Sequence, residues 1–188
     1  MEGQLTLVDA PPHRPGDSPD AGELFERHSR MVYRYARARL EQQDAEDVVS
    51  EVFVVAARRT PPADLDPSAW LLGVARNVVA NQVRSLRRRR ALVARAELAA
   101  RPSEPDHAPW LVRLDALRAA VATLSPRDQE VVAMLAAAPL TPEQLGAALG
   151  CSPRAAAVRV HRARQRLRTA LAATEPAAPT TPRPERTS

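Results

Sequence analysis

Residues 140–167, LTPEQLGAALGCSPRAAAVRVHRARQRL, decide how the second half of this 188-residue chain folds. Thr141 and Gln144 have the spacing of a capping box, which begins a short helix, and Gly150 suits the left-handed end of that helix. Ser152 then caps a second helix directly before a proline, which lacks the amide that a first turn leaves unpaired. The stretch therefore predicts two helices joined by a three-residue turn, the layout of a helix-turn-helix.

The second of these helices is basic along its length. We expect Ala147, Leu149, Val158 and Val160 to pack the two helices together. The side chains that this leaves largely outward are Ser152, Arg154, Ala155, Arg159, Arg162 and Arg166. Residues 154–168 contain six arginines and no acid, so like charges repel at a spacing of four. An amphipathic hairpin with a solvated arginine face is the alternative, but such faces usually mix both signs. The pattern favours a DNA-binding helix that enters the major groove.

The remaining apolar residues also repeat at helical spacing. Stripes begin at Leu24, Ala45, Trp70 and Leu111, and no run of alternating strand pattern competes with them. The sequence predicts an all-α protein made of two small helical domains, at residues 21–96 and 109–173. The segments predicted to lie outside these domains are a flexible linker at 97–108 and disordered tails at 1–20 and 174–188, all rich in proline or polar residues.

Composition narrows the classes of function. The chain has 27 arginines and lysines, all of them arginine, against 22 acids, for a net charge of +5, which points weakly to a polyanionic partner. Cys151 is the only cysteine, so the chain cannot form an internal disulfide or a cysteine-based metal cluster. Its scattered histidines suggest no ligand set, and we expect no cofactor and no metal site. With neither a secretory signal nor an apolar run long enough to span a membrane, we expect a cytoplasmic protein.

An acidic segment precedes the first basic one. Residues 41–51, EQQDAEDVVSE, contain five acids and no cation, and Asp44, Asp47, Val48 and Glu51 fall on one side of a helix. A solvated face near a helix start would explain Asp44, since the helix dipole favours acids there, but it explains Glu51 less well. The sharper interpretation is a surface that docks on a basic protein partner.

A second basic surface follows at residues 70–90, WLLGVARNVVANQVRSLRRRR. One side of this predicted helix is apolar, and the polar residues that lie near one another on it are Arg76, Asn77, Asn81, Arg84, Arg87 and Arg88. Asparagine beside arginine suits bases and phosphates together. Charge alone would equally suit RNA, DNA or a membrane surface, although the bundle needs the apolar side for itself. Aromatic residues are sparse, so an unpaired base would be held in a pocket, for which loop 58–66 is placed.

Five segments occur in the order and spacing of one known family. They are ELFERHSRMVYRYARARL (23–40), DAEDVVSEVF (44–53), AWLLGVARNVVANQVR (69–84), LSPRDQEVV (124–132) and LGCSPRAAAVRVHRARQRLRTAL (149–171). Over about residues 21–172 the chain resembles a bacterial RNA polymerase sigma factor of the sigma-70 family, extracytoplasmic-function (ECF) type. The two domains are then similar to sigma regions 2 and 4.

The resemblance implies a role for each surface. Asp44, Asp47, Val48 and Glu51 would grip the polymerase clamp helices. The six polar residues between Arg76 and Arg88, with loop 58–66, would handle the −10 element. The helix from Ser152 onward would read the −35 element, and its domain would also meet the polymerase flap.

Two departures from the family pattern affect base readout. Asn81 stands where the family often has aspartate. The segment 155–159 reads AAAVR and lacks the basic residue and hydroxyls often found there. As a replacement we expect alanine methyl groups to contact thymine, and Arg154, Arg159 and Arg162 to contact phosphates.

These features predict a transcription initiation factor that binds core RNA polymerase and directs it to promoter DNA by −35 and −10 recognition. An anti-sigma factor is a further candidate partner, and neither a small-molecule substrate nor membrane insertion is expected. The alternative is a stand-alone helix-turn-helix regulator, which would bind duplex DNA without polymerase. An enzyme acting on nucleic acid is not expected, because no carboxylates cluster beside histidine or cysteine.

Overall fold

A computed structural model describes residues 20–93 and 109–174, and these two ranges are helical with short connections. The seven helices are α1 (Ala21–Arg37), α2 (Gln42–Arg58), α3 (Pro67–Val93), α4 (Pro109–Thr123), α5 (Pro126–Ala137), α6 (Pro142–Leu149) and α7 (Pro153–Thr174). The predicted all-α class is confirmed. The predicted linker, and both predicted tails apart from Asp20 and Thr174, lie outside the described residues. So do the side chains of residues 90–93 and 109–113, and with them that of Leu111.

Four helices begin at a proline that directly follows a capping residue: Asp66-Pro67, Ser125-Pro126, Thr141-Pro142 and Ser152-Pro153. Asp66 Oδ1 accepts hydrogen bonds from the amides of Ser68 at 2.8 Å and Ala69 at 3.1 Å, directly before α3. The Ser125 hydroxyl accepts from the Asp128 amide at the start of α5. Thr141 forms the predicted capping box at α6. Side-chain oxygens thus satisfy amides that a first turn would otherwise leave unpaired.

Helices α1, α2 and α3 pack into an N-terminal module (residues 20–93) through the predicted apolar stripes. Leu24 and Tyr35 of α1 are buried against Val48 and Val52 of α2 and against Leu71 of α3. Leu24 and Tyr35 are eleven residues apart in α1, and Val48 and Val52 are four residues apart in α2. Both spacings place the two residues on the same face of their helix.

Helices α4 to α7 form a C-terminal module (residues 109–174), whose sharpest feature is the turn between α6 and α7. Gly150 adopts φ +64°, a left-handed conformation that glycine occupies without steric cost. Its amide donates to Ala147 O at 3.2 Å, and the amide of Cys151 donates to Gly146 O at 2.8 Å. This pair of bonds is a Schellman motif, which ends α6 and redirects the chain into α7.

The packing of α6 on α7 differs from the prediction at two positions. Leu149 is buried and Val160 is half-buried as expected, but Ala147 and Val158 are exposed. The buried residues of α7 are Ala156 and Ala163, at a spacing of seven. Because Val158 follows Ala156 by two positions, it lies about 200° further round the helix and faces away from α6.

The two modules pack against each other. Helix α1 contacts α5, and α3 contacts α6, so the buried residues of both modules form one continuous core. Gly73 of α3 lies next to the backbone of α6, because a Cβ built on it would be in van der Waals contact with Ala148 O at 3.8 Å. The sequence did not predict this contact between the modules.

Candidate nucleic-acid and protein interfaces

The outward face of α7 presents unpaired positive charge. Arg154, Arg159 and Arg162 are exposed, and none of them makes a hydrogen bond or ion pair within the residues that the structure describes. Ser152 is also exposed, and its hydroxyl caps α7 by accepting from the Ala155 amide at 3.3 Å. The structure therefore brings most of the predicted −35 residues onto one basic face, with Ala155 half-buried at its edge.

Arg166 belongs to a different environment from the other predicted −35 residues. Its Nη1 lies 2.5 Å from Asp128 Oδ2 of α5, which also accepts from the Ser125 hydroxyl at 2.6 Å. Burial alone would raise the pKa of Asp128, but the hydrogen bonds from Ser125 and Arg166 and the nearby positive charge outweigh it, so the pKa is lowered. Arg166 thus ties α7 to the start of α5, although its side chain is still largely exposed.

Val158 is a surface residue that the sequence analysis assigned to the core. It is 43% exposed and directly precedes Arg159 on a face that also carries Arg154, His161 and Arg162. The signal was present in the sequence, since a helix that begins at Pro153 fixes the angular position of every later residue. An exposed branched apolar side chain is suited to contact the methyl group of thymine.

The predicted −10 residues lie on one side of α3 but face two different surroundings. Asn77, Arg84 and the two arginines that follow at 87 and 88 are exposed, as is Asn81, whose Oδ1 accepts a hydrogen bond from Arg84. Arg76 lies at the edge nearest the C-terminal module, where its Nε donates to Glu130 Oε1 of α5 at 3.0 Å. The exposed part of this face is therefore free to meet a nucleic acid, whereas Arg76 is occupied by a carboxylate.

Loop 58–66 lies beside that face and ends at the C-terminal module. Its Pro61 is buried, and Leu65 donates its amide to Pro62 O at 3.0 Å. Asp66 interacts with the Gln144 side chain of α6 as well as capping α3. Burial acts to raise the pKa of Asp66, but hydrogen bonds from the Ala69 amide, Gln144 and Ser68 lower it overall. The loop is thus fixed at the end nearest α6.

The acidic face of α2 is narrower than predicted. Asp47 and Glu51 are exposed and Asp44 is half-buried. Val48 was predicted to belong to this surface, but the structure places its side chain in the core with no exposed surface. It is one position away from Asp47, and this rotation of about 100° directs its side chain into the core. Two exposed acids and one half-buried acid remain to meet a partner.

A shallow groove of about 470 Å³ separates α1 from α2 next to the acidic face. Its lining residues are Ser29, Arg30, Tyr33, Arg34, Glu46 and Val49. The groove combines apolar walls with two guanidinium groups, which suits a protein side chain carrying an acidic or amide end.

The described residues contain neither a group of side chains that could bind a metal ion nor a helix that could span a membrane. Within residues 20–93 and 109–174, no three histidine, cysteine or acidic side chains are grouped so that they could hold a metal ion. In the same ranges, no helix has the length and apolar character needed to cross a bilayer.

Both modules match known sequence families. Residues 24–89 match the family described as sigma-70 region 2, and residues 114–167 match sigma-70 region 4. The first match lies within the N-terminal module and the second within the C-terminal module, so together they cover more than half of the chain.

Two curated relatives are ECF RNA polymerase sigma factors. BldN of Streptomyces coelicolor is 34% identical over 128 residues, which cover 63% of this chain and 48% of that protein. SigE of Mycolicibacterium smegmatis is 32% identical over 162 residues, which cover 82% of this chain and 62% of that protein. The chain therefore spans about half to three-fifths of the length of these relatives.

Solved structures share the arrangement of helices. The sigma factor RpoE in complex with the anti-sigma factor NepR, from Bartonella quintana, aligns with a TM-score of 0.60 and 22% identity over 79% of this chain and 94% of that chain. CnrH in complex with the cytosolic domain of CnrY aligns with a TM-score of 0.57 and 25% identity over 81% and 88%. Two matched regions in the family order and the shared fold lead to one conclusion: the chain belongs to the sigma-70 family of RNA polymerase sigma factors, and it is similar to members of the ECF type.

Proposed function

We propose that this chain is a transcription initiation factor that binds core RNA polymerase and directs it to promoters by contacts with the −35 and −10 elements. The observation that carries the proposal is the pairing of two basic helix faces, on α7 and α3, with the acidic face of α2 on one chain. A factor of this kind performs no chemistry of its own and acts in the cytoplasm, where polymerase and promoter meet.

The −35 element is contacted by α7. Its exposed N-terminal turns enter the major groove while α6 crosses the backbone, as in other helix-turn-helix proteins. Arg154, Arg159 and Arg162 neutralise phosphates, and each contact releases counterions, so binding weakens as salt rises. Ala155 and Val158 supply apolar contacts to thymine methyl groups. Because Arg166 is held by Asp128, we assign it to phosphate contact at most, with no role in base readout.

The −10 element is contacted by the exposed side of α3. Asn77 and Asn81 can both donate and accept hydrogen bonds at base edges, while Arg84 and its neighbours at 87 and 88 approach the backbone. Loop 58–66 lies next to this side and would hold an unpaired base. Extruding a base costs a few kcal/mol of stacking, which contacts made by the polymerase would offset.

Polymerase docks on α2. Asp47 and Glu51 project from the helix and Asp44 lies beside them, which makes a surface complementary to a basic partner. The neighbouring groove between α1 and α2 extends this surface with apolar contacts. RpoE and CnrH were each solved with a partner protein, and by analogy we propose that an anti-sigma factor also binds this chain.

The test is transcription in vitro with bacterial core polymerase on a library of promoters. We expect the chain to raise initiation on a subset of sequences that core polymerase alone does not select. Arg159→Gln should lower this stimulation, whereas Arg127→Gln should not, since Arg127 is an equally exposed and unpaired arginine away from α7. A chain that binds specific duplex DNA by itself and fails to associate with core polymerase would instead be a stand-alone regulator.

A further inference from the structure

Helix α1 carries a row of arginines to which the proposed function gives no role. Residues 27–39, RHSRMVYRYARAR, contain five arginines and no acid. Arg27, Arg30 and Arg34 recur at spacings of three and four residues, so they lie on one side of the helix. Arg27 pairs with Glu23 at 2.9 Å, but Arg30 and Arg34 are exposed and make no hydrogen bond or ion pair among the described residues. Two unpaired positive charges therefore lie one turn apart on the surface of α1.

The seam between α1 and α2 fixes where these charges lie relative to the acidic face. Phe25 packs on Phe53 with ring centroids 4.9 Å apart, and the groove described above joins the following turns of α1 to the preceding turns of α2. The two helices are therefore antiparallel, and in this register Asp47 lies at about the same height along the seam as Arg30. One face of the N-terminal module thus presents a basic row and an acidic row side by side.

Apolar side chains are exposed on the same face. Phe25 is 47% exposed and Val54 is 50% exposed, and Tyr33 and Val49 are half-buried in the groove. Val54 follows Asp47 by seven residues, so it lies on the acidic side of α2. The acids would repel a phosphate backbone, whereas a protein surface that carries both signs is complementary to this face.

The α1–α2 face is complementary to itself. When a second copy is related to the first by a two-fold axis along the seam, its α2 lies over α1 of the first copy and heights along the seam are preserved. Arg30 of each copy then meets Asp47 of the other, as an isologous interface requires. A two-fold axis across the seam would place α1 on α1 and oppose arginine to arginine, so the charges select the first arrangement.

We propose that two copies of this chain associate through the α1–α2 face into a reversible dimer, held by two Arg30–Asp47 pairs around the apolar seam. Each helix has 17 residues. Such helices are about 25 Å long and lie about 10 Å apart, so their common face measures about 500 Å². Two such faces bury about 1,000 Å², which is the lower limit for a specific interface. The dimer is therefore weak, with a Kd on the order of tens of micromolar.

Dimerisation covers the acids that the proposed function assigns to polymerase docking, and this consequence rests on that function. Core polymerase and a second copy of the chain compete for Asp47 and Glu51. By mass action, a high concentration of the chain holds part of it in dimers that cannot dock, and added polymerase converts dimers into complexes with one copy each.

Charge reversal in two separate variants tests the pairing. By symmetry, a dimer of Arg30→Glu contains two pairs of acids, and a dimer of Asp47→Arg contains two pairs of arginines. Sedimentation velocity at about 1–200 µM should show the wild-type chain converting reversibly to dimer, with the Kd of each variant raised about tenfold or more. An equimolar mixture of the two variants should dimerise like the wild-type chain, because both pairs between unlike copies again join opposite charges.

Arg127→Glu and Glu143→Arg are the matched controls. Arg127 of α5 and Glu143 of α6 are exposed and have no partner among the described residues, and their variants change the net charge by the same amounts. Each control, alone or mixed, should dimerise like the wild-type chain, and circular dichroism should show native helicity for all four variants.

The outcomes separate this inference from the proposed function. A wild-type chain that stays monomeric throughout but binds core polymerase would show that the face belongs to polymerase alone, and the dimer would be wrong. A mixture no more dimeric than its two separate variants would also overturn the pairing. If the wild-type chain and the mixture dimerise as expected but core polymerase does not bind the chain, the proposed function fails and the dimer stands.

Discussion

Asp128 lies at the start of α5, where its side chain links the capping residue Ser125 to Arg166 of α7. Its carboxylate accepts hydrogen bonds from the Ser125 hydroxyl at 2.6 Å and from Arg166 Nη1 at 2.5 Å, and its side chain is 10% exposed. Asp128→Asn keeps the volume but removes the charge that both partners use. We expect this variant to destabilise the C-terminal module and to leave the helical content of the folded chain unchanged.

The magnitude follows from burial and from the partners. Hydrogen bonds to a charged group contribute about 1.5–3 kcal/mol each, but Arg166 is 59% exposed, and solvent screens its share. We therefore expect a loss of about 1–3 kcal/mol in the free energy of unfolding. For about 140 ordered residues, this lowers Tm by about 3–10 °C.

The stabilisation that the Asp128 carboxylate provides should decrease as the pH falls. The pKa of Asp128 is lowered in the folded state below the ordinary aspartate value of 3.8, so its carboxylate stabilises the fold above that pH. This stabilisation is lost as the pH falls through the folded pKa. The difference in Tm between the wild-type chain and Asp128→Asn should thus be constant from about pH 5 to pH 8 and shrink below about pH 4.

Thermal unfolding followed by circular dichroism at pH 7 and pH 3 measures both effects. Asp115→Asn is the matched control, because Asp115 pairs with Arg118 at 3.2 Å on an exposed surface, where such pairs contribute less than about 1 kcal/mol. Equal losses for the two variants at pH 7, or a difference for Asp128→Asn that is no smaller at pH 3 than at pH 7, would refute the reasoning.

Four other predictions concern the helix-turn-helix. A Cβ at Gly146 would lie 2.7 Å from Cys151 O, so Gly146→Ala should cost about 1–3 kcal/mol in chemical denaturation. Gly150→Ala should cost about 1 kcal/mol, since Gly150 has positive φ and open space around it. Replacing −35 thymines with deoxyuridine should weaken binding of the polymerase complex by roughly fourfold per contacted methyl group, and Val158→Ser should remove the sensitivity at the thymine that Val158 contacts. Arg154→Ala should lower affinity about equally for all promoter sequences and reduce the salt dependence by about one phosphate contact, and an unchanged salt dependence would contradict its assignment.

Much of the local structure could be predicted from the sequence because its causes are local. The side-chain oxygens of Asp66, Ser125 and Thr141 each bond to amides within three residues, so a cap can be identified without knowing the fold. The apolar stripes and the left-handed Gly150 follow from the same short-range rules. The basic helix α7 was likewise identified from its order of charges alone.

The differences between the prediction and the structure concern which side of its helix a single residue faces. Val48 and Val158 are both β-branched and apolar, yet one is fully buried and the other is exposed. Spacing assigns a residue to a helix face only to within about one position, and one position is 100° of rotation. Contacts with neighbouring helices decide which residues at the edge of a stripe are covered.

The sequence by itself determined the helical stripes, the caps of α6 and α7, the turn of the helix-turn-helix and the family. The tertiary structure decided which arginines are free, since Arg76 meets Glu130 across 54 residues of chain and Arg166 meets Asp128 across 38. It also decided that the two modules share a core. The physical reason is range: caps and helical periodicity act over a few residues, whereas an ion pair between distant segments depends on how whole helices pack.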